Sequence, residues 1–440
     1  MDALCNGAAA VLRNNWVGSS TVPAHGLYPH QWSWDTAFIA FGHSVTNLTR
    51  ARFELETLFD AQWADGMLPH VVFNPDVPSD AYFPGPTYWR SSAASAGQAP
   101  AAPETSGIIN PPVHASAVLQ LVARSTTPAE VVATLAFVRR IYPKLAASID
   151  FLTRERDPDG NGLVYVRHPW ENGMDNSPVW DEVLYRMDVP PGSIPPYNRT
   201  DLAPPTDPAD RPTNATYDRF VSLMICARNR SYVERDIAAA DGCPFLIEDA
   251  FFNTLVAQAA DSMARLAALV AADDVAKWRA LALRTRHAIA SLWSPVEQMY
   301  LSRDVRSGEL IQKRTIGGLA PLILPPIAAA PLRREALLET LRSPGFATRY
   351  PVPTLDARAA NFSRRCYWRG PSWFNTDWLL MRGLEADNSS AADAARIRGA
   401  MLELVNGSGW REYWDPLSGE PHGSANFSWT AALFLDTFCS

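Results

Sequence analysis

Two short stretches of this 440-residue chain gather carboxylates among aromatic and amide side chains. His168-Pro169-Trp170-Glu171-Asn172-Gly173-Met174-Asp175-Asn176-Ser177 follows a glycine turn, and Trp410-Arg411-Glu412-Tyr413-Trp414-Asp415-Pro416 stands near the C-terminal end. Hydrolysis of a glycosidic bond needs such a pair: one protonated carboxyl to feed the leaving oxygen, and one ionised carboxylate to act as nucleophile or to activate water. Each stretch offers two acids, and composition does not choose between Glu171 and Asp175 or between Glu412 and Asp415. The aromatic residues point to the same chemistry. Trp32, Trp34, Trp89, Trp170, Trp180, Trp368, Trp373, Trp378, Trp410, Trp414 and Trp429 lie in or beside a few segments rich in Asp, Glu, Arg, Asn and Gly. Ring faces stack on the C–H faces of sugars while carboxylates, amides and guanidinium groups bond their hydroxyls. Singly, each Trp fits helix-end packing; the cluster reads as a carbohydrate site.

The elements that must hold these residues are helical. From Leu246 to Val270, Ile247, Phe251, Leu255, Ala259, Met263, Leu266 and Val270 recur at spacings of three and four and predict one apolar stripe. Thr127, Pro128 and Glu130 supply a cap, a first-turn proline and a capping-box acid ahead of the apolar run to Ile141. Ten further helices are expected at 35–44, 49–64, 112–125, 143–154, 217–238, 274–293, 332–342, 371–383, 390–406 and 428–438. Twelve helices without a long polar linker fit an α-solenoid or two concentric rings of six. No fixed-period repeat is present, which favours an all-α (α/α)6 toroid over residues 1–440 as one domain, with long loops at one mouth. The Ala- and Pro-rich stretch Ser91 to Pro103 reads as a flexible surface insertion.

Composition excludes several classes. The chain carries 39 basic and 46 acidic residues, a net charge of −7, and no cationic run that could track a nucleic acid. No apolar stretch reaches the roughly 20 residues of a membrane span, and Met1 to Asn15 lacks a basic segment before an apolar one, so a cytoplasmic protein is expected. Five cysteines without C-x-x-C spacing suggest neither disulfides nor zinc. Asp157-Pro158-Asp159-Gly160-Asn161-Gly162 begins like a calcium loop, but position twelve is His168 rather than Glu, so it reads as a turn. No H-E-x-x-H spacing occurs, and no metal or cofactor is expected. His30 and His114 read as buried histidines bonding loop backbone, and Glu171, Asp181 and Asp415 as residues orienting neighbouring loops.

A resemblance covers nearly the whole chain, in order. It rests on Tyr28-Pro29-His30-Gln31-Trp32-Ser33-Trp34-Asp35, Tyr82-Phe83-Pro84-Gly85-Pro86, Thr105-Ser106-Gly107, Pro111-Pro112-Val113-His114, Trp170 to Ser177, Arg211-Pro212-Thr213, Tyr217-Asp218-Arg219, Tyr367-Trp368-Arg369-Gly370-Pro371 and Glu412-Tyr413. These segments resemble the mannosylglycerate and glucosylglycerate hydrolases of glycoside hydrolase family 63. The resemblance implies an inverting (α/α)6 enzyme whose general acid is Asp175, from the W-E-x-G-x-D-N motif, and whose general base is Glu412, from E-Y-x-D-P. It implies a hexose subsite of Trp34, Asp35, Trp170, Trp368, Gly370 and Trp373, with Tyr28, Tyr82, Arg211, Tyr217 and Tyr367 towards the glycerate. Trp32 and Asn110 complete the expected substrate-binding set. Two departures stand out: Asn110 replaces the usual Gln, and Asn172 the usual Ser.

Chemically, Asp175 must be protonated near neutral pH while Glu412 stays ionised, which a poorly hydrated, ring-lined site favours for the former. Glycerate carries a carboxylate, for which an arginine such as Arg211 is the natural partner. The expected ligand is therefore a small anionic sugar conjugate. The alternatives are a family-63-like α-glucosidase or trehalase-like hydrolase, and, from another class, a non-catalytic sugar-binding toroid or a sugar epimerase.

Overall fold

The computed structural model describes residues 1–203, 206–241, 243–325 and 331–440. Among them run twelve helices of 11 residues or more: α1 (Asp2–Asn14), α2 (Ser33–Thr46), α3 (Leu48–Asp60), α4 (His114–Arg124), α5 (Pro128–Glu155), α6 (Asn214–Arg228), α7 (Ala250–Val270), α8 (Val275–Ile289), α9 (Pro331–Leu341), α10 (Phe374–Glu385), α11 (Ala391–Ser408) and α12 (Ser428–Phe438). Contacts between them close a circle. α2 packs on α4, α4 on α7, α7 on the 3₁₀ helix Ile316–Ile323, that helix on α10, α10 on α12, and α12 back on α2. Outside this inner ring, α3 lies on α2, α5 on α4 and α7, α8 on α7, α9 on the 3₁₀ helix, α11 on α10 and α1 on α12. The fold is an (α/α)6 toroid, as the helical pattern suggests.

The number twelve agrees with the sequence reading, but the membership does not. One inner-ring member is the 3₁₀ helix, whose Gly317, Gly318 and Pro321 are poor helix formers and erase the periodic signal. α1 went unread because only Ala8, Val11 and Leu12 of its residues are buried, too few for a clear stripe. The two helices expected at 127–141 and 143–154 are one, α5, which continues through Pro143. The stretch 217–238 is broken by Ser231 and Tyr232 at positive φ of 53° and 59° into α6 and a short helix, neither in the ring. The expected start at Leu246 is too early: Ile247–Glu248 is a strand, and Asp249 caps α7 by accepting from the Phe252 N–H. The Thr127/Glu130 capping box forms as read.

Close approach seals the ring where the first inner helix meets the last. A Cβ on Gly42 of α2 would stand 2.3 Å from the Ala432 Cα of α12, so that only glycine fits. Short strand pairs dress the mouth: β1 (Gln31–Trp32) with β2 (Val71–Val72), a three-stranded patch of β3 (Tyr165–Val166), β4 (Ile247–Glu248) and β5 (Arg303–Asp304), and β6 (Arg411–Trp414) with β7 (Pro421–Ala425).

Two expectations are corrected. Ser91 to Pro103 is no loose insertion, since Ser91, Ser95 and Ala99 are buried and Ser91–Ala94 is helical. The cysteines do pair: Cys5 with Cys439, joining the start of α1 to the end of α12, and Cys226 with Cys243. Spacing rules miss the first pair because its partners are 434 residues apart in sequence. Disulfides persist mainly in oxidising compartments, so they weigh against the cytoplasmic expectation. Among the described residues no helix is long and apolar enough to cross a membrane.

Candidate active site

A cavity opens at the mouth of the toroid, where both acid-bearing stretches meet. Its walls come from the leads into, or first turns of, the inner helices: Trp32, Trp34 and Asp35 for α2, Asn110 for α4, Tyr367 and Trp368 for α10, and Phe427 and Trp429 for α12. Tyr28, Tyr82, Trp170, Asp175 and Glu412 complete the expected residues that line it. The partly positive N-terminal ends of these helices thus lie around a cavity that holds several carboxylates.

The acid-bearing loop is held rigidly from behind. Glu171 is fully buried and takes hydrogen bonds of 2.9 Å from both Nη1 and Nη2 of Arg156 and one of 2.7 Å from the Arg167 N–H. Arg156 and Arg167 both also pair with buried Glu234, giving a charge-balanced quartet. Burial alone would raise the Glu171 pKa, but the two arginines prevail and hold it at about 2. Asn172, the departure from Ser, donates from Nδ2 to Asp249 Oδ1 at 2.6 Å, which ties the loop to the cap of α7. Gly173 then turns at φ +80°, and a Cβ there would lie 2.6 Å from the Trp34 ring. His168 accepts from Trp170 N–H, and Asn176 accepts from Trp368 N–H at 2.9 Å. Met174 O accepts from the Trp180 indole at 2.7 Å.

Past this turn Asp175 faces the cavity without a basic side chain bonded to it. Burial pushes its carboxyl up to about 8; the nearby Arg211 opposes the shift and the Glu412 charge adds to it. Asp35, in the same wall, is also raised well above its ordinary value by burial.

Glu412 has the opposite surroundings. Its Oε1 accepts from the Tyr28 hydroxyl at 2.9 Å and the Tyr367 hydroxyl at 3.2 Å, and its Oε2 from the Ser424 N–H on β7 at 2.8 Å. Gly423 makes room for it, since a Cβ there would stand 2.4 Å from Oε2. Arg211 Nη2 lies 3.8 Å from the same oxygen. Each of these contacts is a hydrogen-bond donor or a positive charge turned towards the carboxyl group. The neighbouring Asp415 turns away to Arg364 and the Leu417 N–H, and Asp181 pairs with Arg369.

Four expected residues sit one layer behind the cavity wall. Arg211 is buried, donates to the Tyr28 hydroxyl at 3.1 Å and covers the Tyr367 ring at 4.3 Å. Trp373 stacks on Trp368 at 3.8 Å and 5°, buttressing it. Tyr217 donates to Phe83 O and packs edge-on to Trp170. Gly370 is fixed by a near contact, where a Cβ would meet Ser363 O at 2.0 Å. His114 bonds Ser33, and His30 accepts from Asn74 N–H, as buried backbone-binding histidines do. Asp157 accepts from Gly162 N–H, closing the turn before β3.

The sequence reading missed His70, Gly173, Trp429, Phe427 and Pro23 as cavity residues. Gly173 and Trp429 stood inside segments it had singled out. His70 and Pro23 carry no local signal, because they reach the cavity only through β2 and the lead into Tyr28.

Comparison with known proteins agrees in extent. The family described as mannosylglycerate hydrolase MGH1-like glycoside hydrolase domain matches residues 28–430. A mannosylglycerate hydrolase of Rubrobacter radiotolerans is 43% identical over 98% of this chain and 95% of its own length. A glucosylglycerate hydrolase of Mycolicibacterium hassiacum is 35% identical over 98% and 96%. The crystal structure of a family 63 mannosylglycerate hydrolase from Thermus thermophilus, in complex with Tris and D-glycerate, superposes with a TM-score of 0.89 at 39% identity, covering 98% of this chain and 99% of that one.

Proposed function

The chain belongs to the mannosylglycerate hydrolase MGH1-like glycoside hydrolases, and from that premise we propose that it cleaves α-mannosylglycerate or α-glucosylglycerate with inversion, Asp175 acting as general acid and Glu412 as general base. The observation that carries this reading is the unlike pair of carboxyls in one aromatic cavity. Asp175, pushed up to about 8, is protonated at neutral pH and can donate to the glycosidic oxygen. Glu412, bonded by two phenols and a backbone N–H, is prepared to take a proton from a water attacking the anomeric carbon from the opposite face. The C–O bond to glycerate breaks as the C–O bond to water forms; the glycerate hydroxyl keeps the Asp175 proton, and Glu412 holds the water's. Proton exchange with solvent then resets both groups.

An anionic aglycone is supported by Tyr28, Tyr82 and Tyr367 in the wall, with the Arg211 charge one hydroxyl behind Tyr28. The related enzyme from Thermus thermophilus binds D-glycerate. Asn110, the shorter side chain, donates to Trp170 O at 3.1 Å and keeps Oδ1 without a partner among the described residues, free to accept from substrate.

Incubating the protein with both conjugates and following the first-released anomer by NMR tests the proposal. The β-hexose should appear first, and neutral disaccharides such as trehalose should react poorly. Asp175→Asn and Glu412→Gln should fold with the parent's circular dichroism and lose at least about 10³-fold in kcat. Parental turnover by either variant, or first release of the α-anomer, would refute the assignment.

A further inference from the structure

With Asp175 and Glu412 given to the chemistry, residues lining the cavity still carry buried polar atoms that no described protein group satisfies. The indole Nε1 of Trp429, on a side chain only 4% exposed, has no hydrogen-bond partner among the described residues. Neither has Nδ1 of His70. Both residues line the cavity. Folded proteins rarely leave a buried polar atom without a partner, and two such atoms on residues that line one cavity suit a ligand that brings the partners.

Both rings are held closely by their neighbours. The Trp429 indole is met edge-on by Trp34 at 5.3 Å and 88° and by Phe427 at 4.8 Å and 69°, with Trp373 at 5.8 Å. His70 is pinned through its backbone, accepting from Ser33 N–H and donating to Ile108 O. Its ring lies nearly parallel to Trp170, at 11° and 6.4 Å, and edge-on to Trp32. Burial holds its pKa near 3, so the imidazole is neutral in use and offers one donor and one acceptor. Trp429 is a donor only. Asp35, in the same wall, adds a carboxyl that can accept. A donor, a donor–acceptor and an acceptor around ring-lined walls complement the hydroxyls of a pyranose, each of which can both give and take a hydrogen bond.

We propose that Trp429 and His70 read the hexose: the Trp429 indole N–H donates to one ring hydroxyl and the His70 imidazole bonds another, so that together they help set which sugar is hydrolysed. This rests on the proposed reading of the cavity as a hexosyl-glycerate site.

The test uses Trp429→Phe and His70→Phe, which keep an aromatic ring in each stack and remove the polar atoms. Each is assayed with mannosylglycerate, glucosylglycerate and the 2-, 3-, 4- and 6-deoxy conjugates, alongside the thermal midpoint. Trp429→Phe should lose about 5- to 50-fold in kcat/KM on the parent substrate, at an unchanged midpoint. With one deoxy conjugate the variant and the parent should be equal, because the hydroxyl that was read is gone from both. His70→Phe should show the same pattern at a different hydroxyl. Activity within twofold of the parent for both variants, or an equal loss across all deoxy conjugates, overturns the proposal. If Trp429→Phe lowers the midpoint, His70→Phe and the parent's own deoxy series decide it. If the parent hydrolyses neither conjugate, the functional reading fails separately, and calorimetric binding of mannose, glucose and their deoxy forms by parent and variants still decides the role of the two side chains.

Discussion

Asp175 and Arg211 are coupled through charge, and that coupling has a measurable sign. In the proposed mechanism the protonated form of Asp175 is the acid, so kcat/KM should fall about tenfold per unit above pH 8, following the carboxyl held at about 8. Arg211 opposes that elevated pKa. Arg211→Met should therefore move the alkaline limb to higher pH, while kcat/KM drops at least about tenfold, because Glu412 loses a cationic neighbour and, on the proposed reading, the aglycone loses a nearby positive charge. A limb that stays put in stopped assays across pH 6–10 would separate Arg211 from the acid. At this scale the sequence supplied the candidates and the resemblance chose among them; burial and pairing support the same choice independently. Glu171 is spent on two arginines and Asp415 on Arg364, whereas Asp175 and Glu412 face the cavity. His70 could not be found this way, because a lone histidine in an apolar stretch looks like core until the fold brings it to the wall.

The loop from Pro169 to Asp175 is the element on which the acid's placement depends, and two changes probe it differently. Gly173→Ala would force a Cβ onto a residue at φ +80° and against the Trp34 ring, displacing either Asp175 or the Trp34 ring that lines the cavity. The expected result is a loss of about 10²-fold or more in kcat with little change in the urea midpoint, since the site rather than the core is disturbed. Glu171→Gln instead breaks a buried pair and leaves the charge of Arg156 and Arg167 shared by Glu234 alone. That should cost about 3–5 kcal/mol in urea unfolding. Periodicity found the long helices but could not see this loop's support, because ion pairs among Arg156, Arg167, Glu171 and Glu234 have no sequence period. The inner-ring 3₁₀ helix was lost for a related reason: glycines and a proline remove the pattern, and only contacts with α7 and α10 supply the helical turn.

Closure of the ring is a property of the whole molecule, and it passes through the active site. α1 and α12 are the first and last helices, packed together and joined by Cys5–Cys439. Just beyond α1 lie Pro23 and Tyr28, and at the start of α12 lie Phe427 and Trp429, all four in the cavity wall. Ser428 N–H donates to Pro23 O, and its hydroxyl donates to Val22 O, stitching the two sides. Opening this seam would therefore separate two walls of the cavity. The crosslink spans 434 residues of sequence, and constraining so long a loop in the unfolded chain stabilises by at least about 2–4 kcal/mol. Cys439→Ser should accordingly lower the thermal midpoint by several degrees and bring loss of activity on heating ahead of loss of helical ellipticity, whereas the oxidised parent should lose both together. Peptide mapping after alkylation of the native protein checks the premise: Cys366 alone should be labelled. Labelling of Cys5 and Cys439, with equal midpoints for parent and variant, would mean that the helix contacts between α1 and α12 close the toroid without a covalent tie.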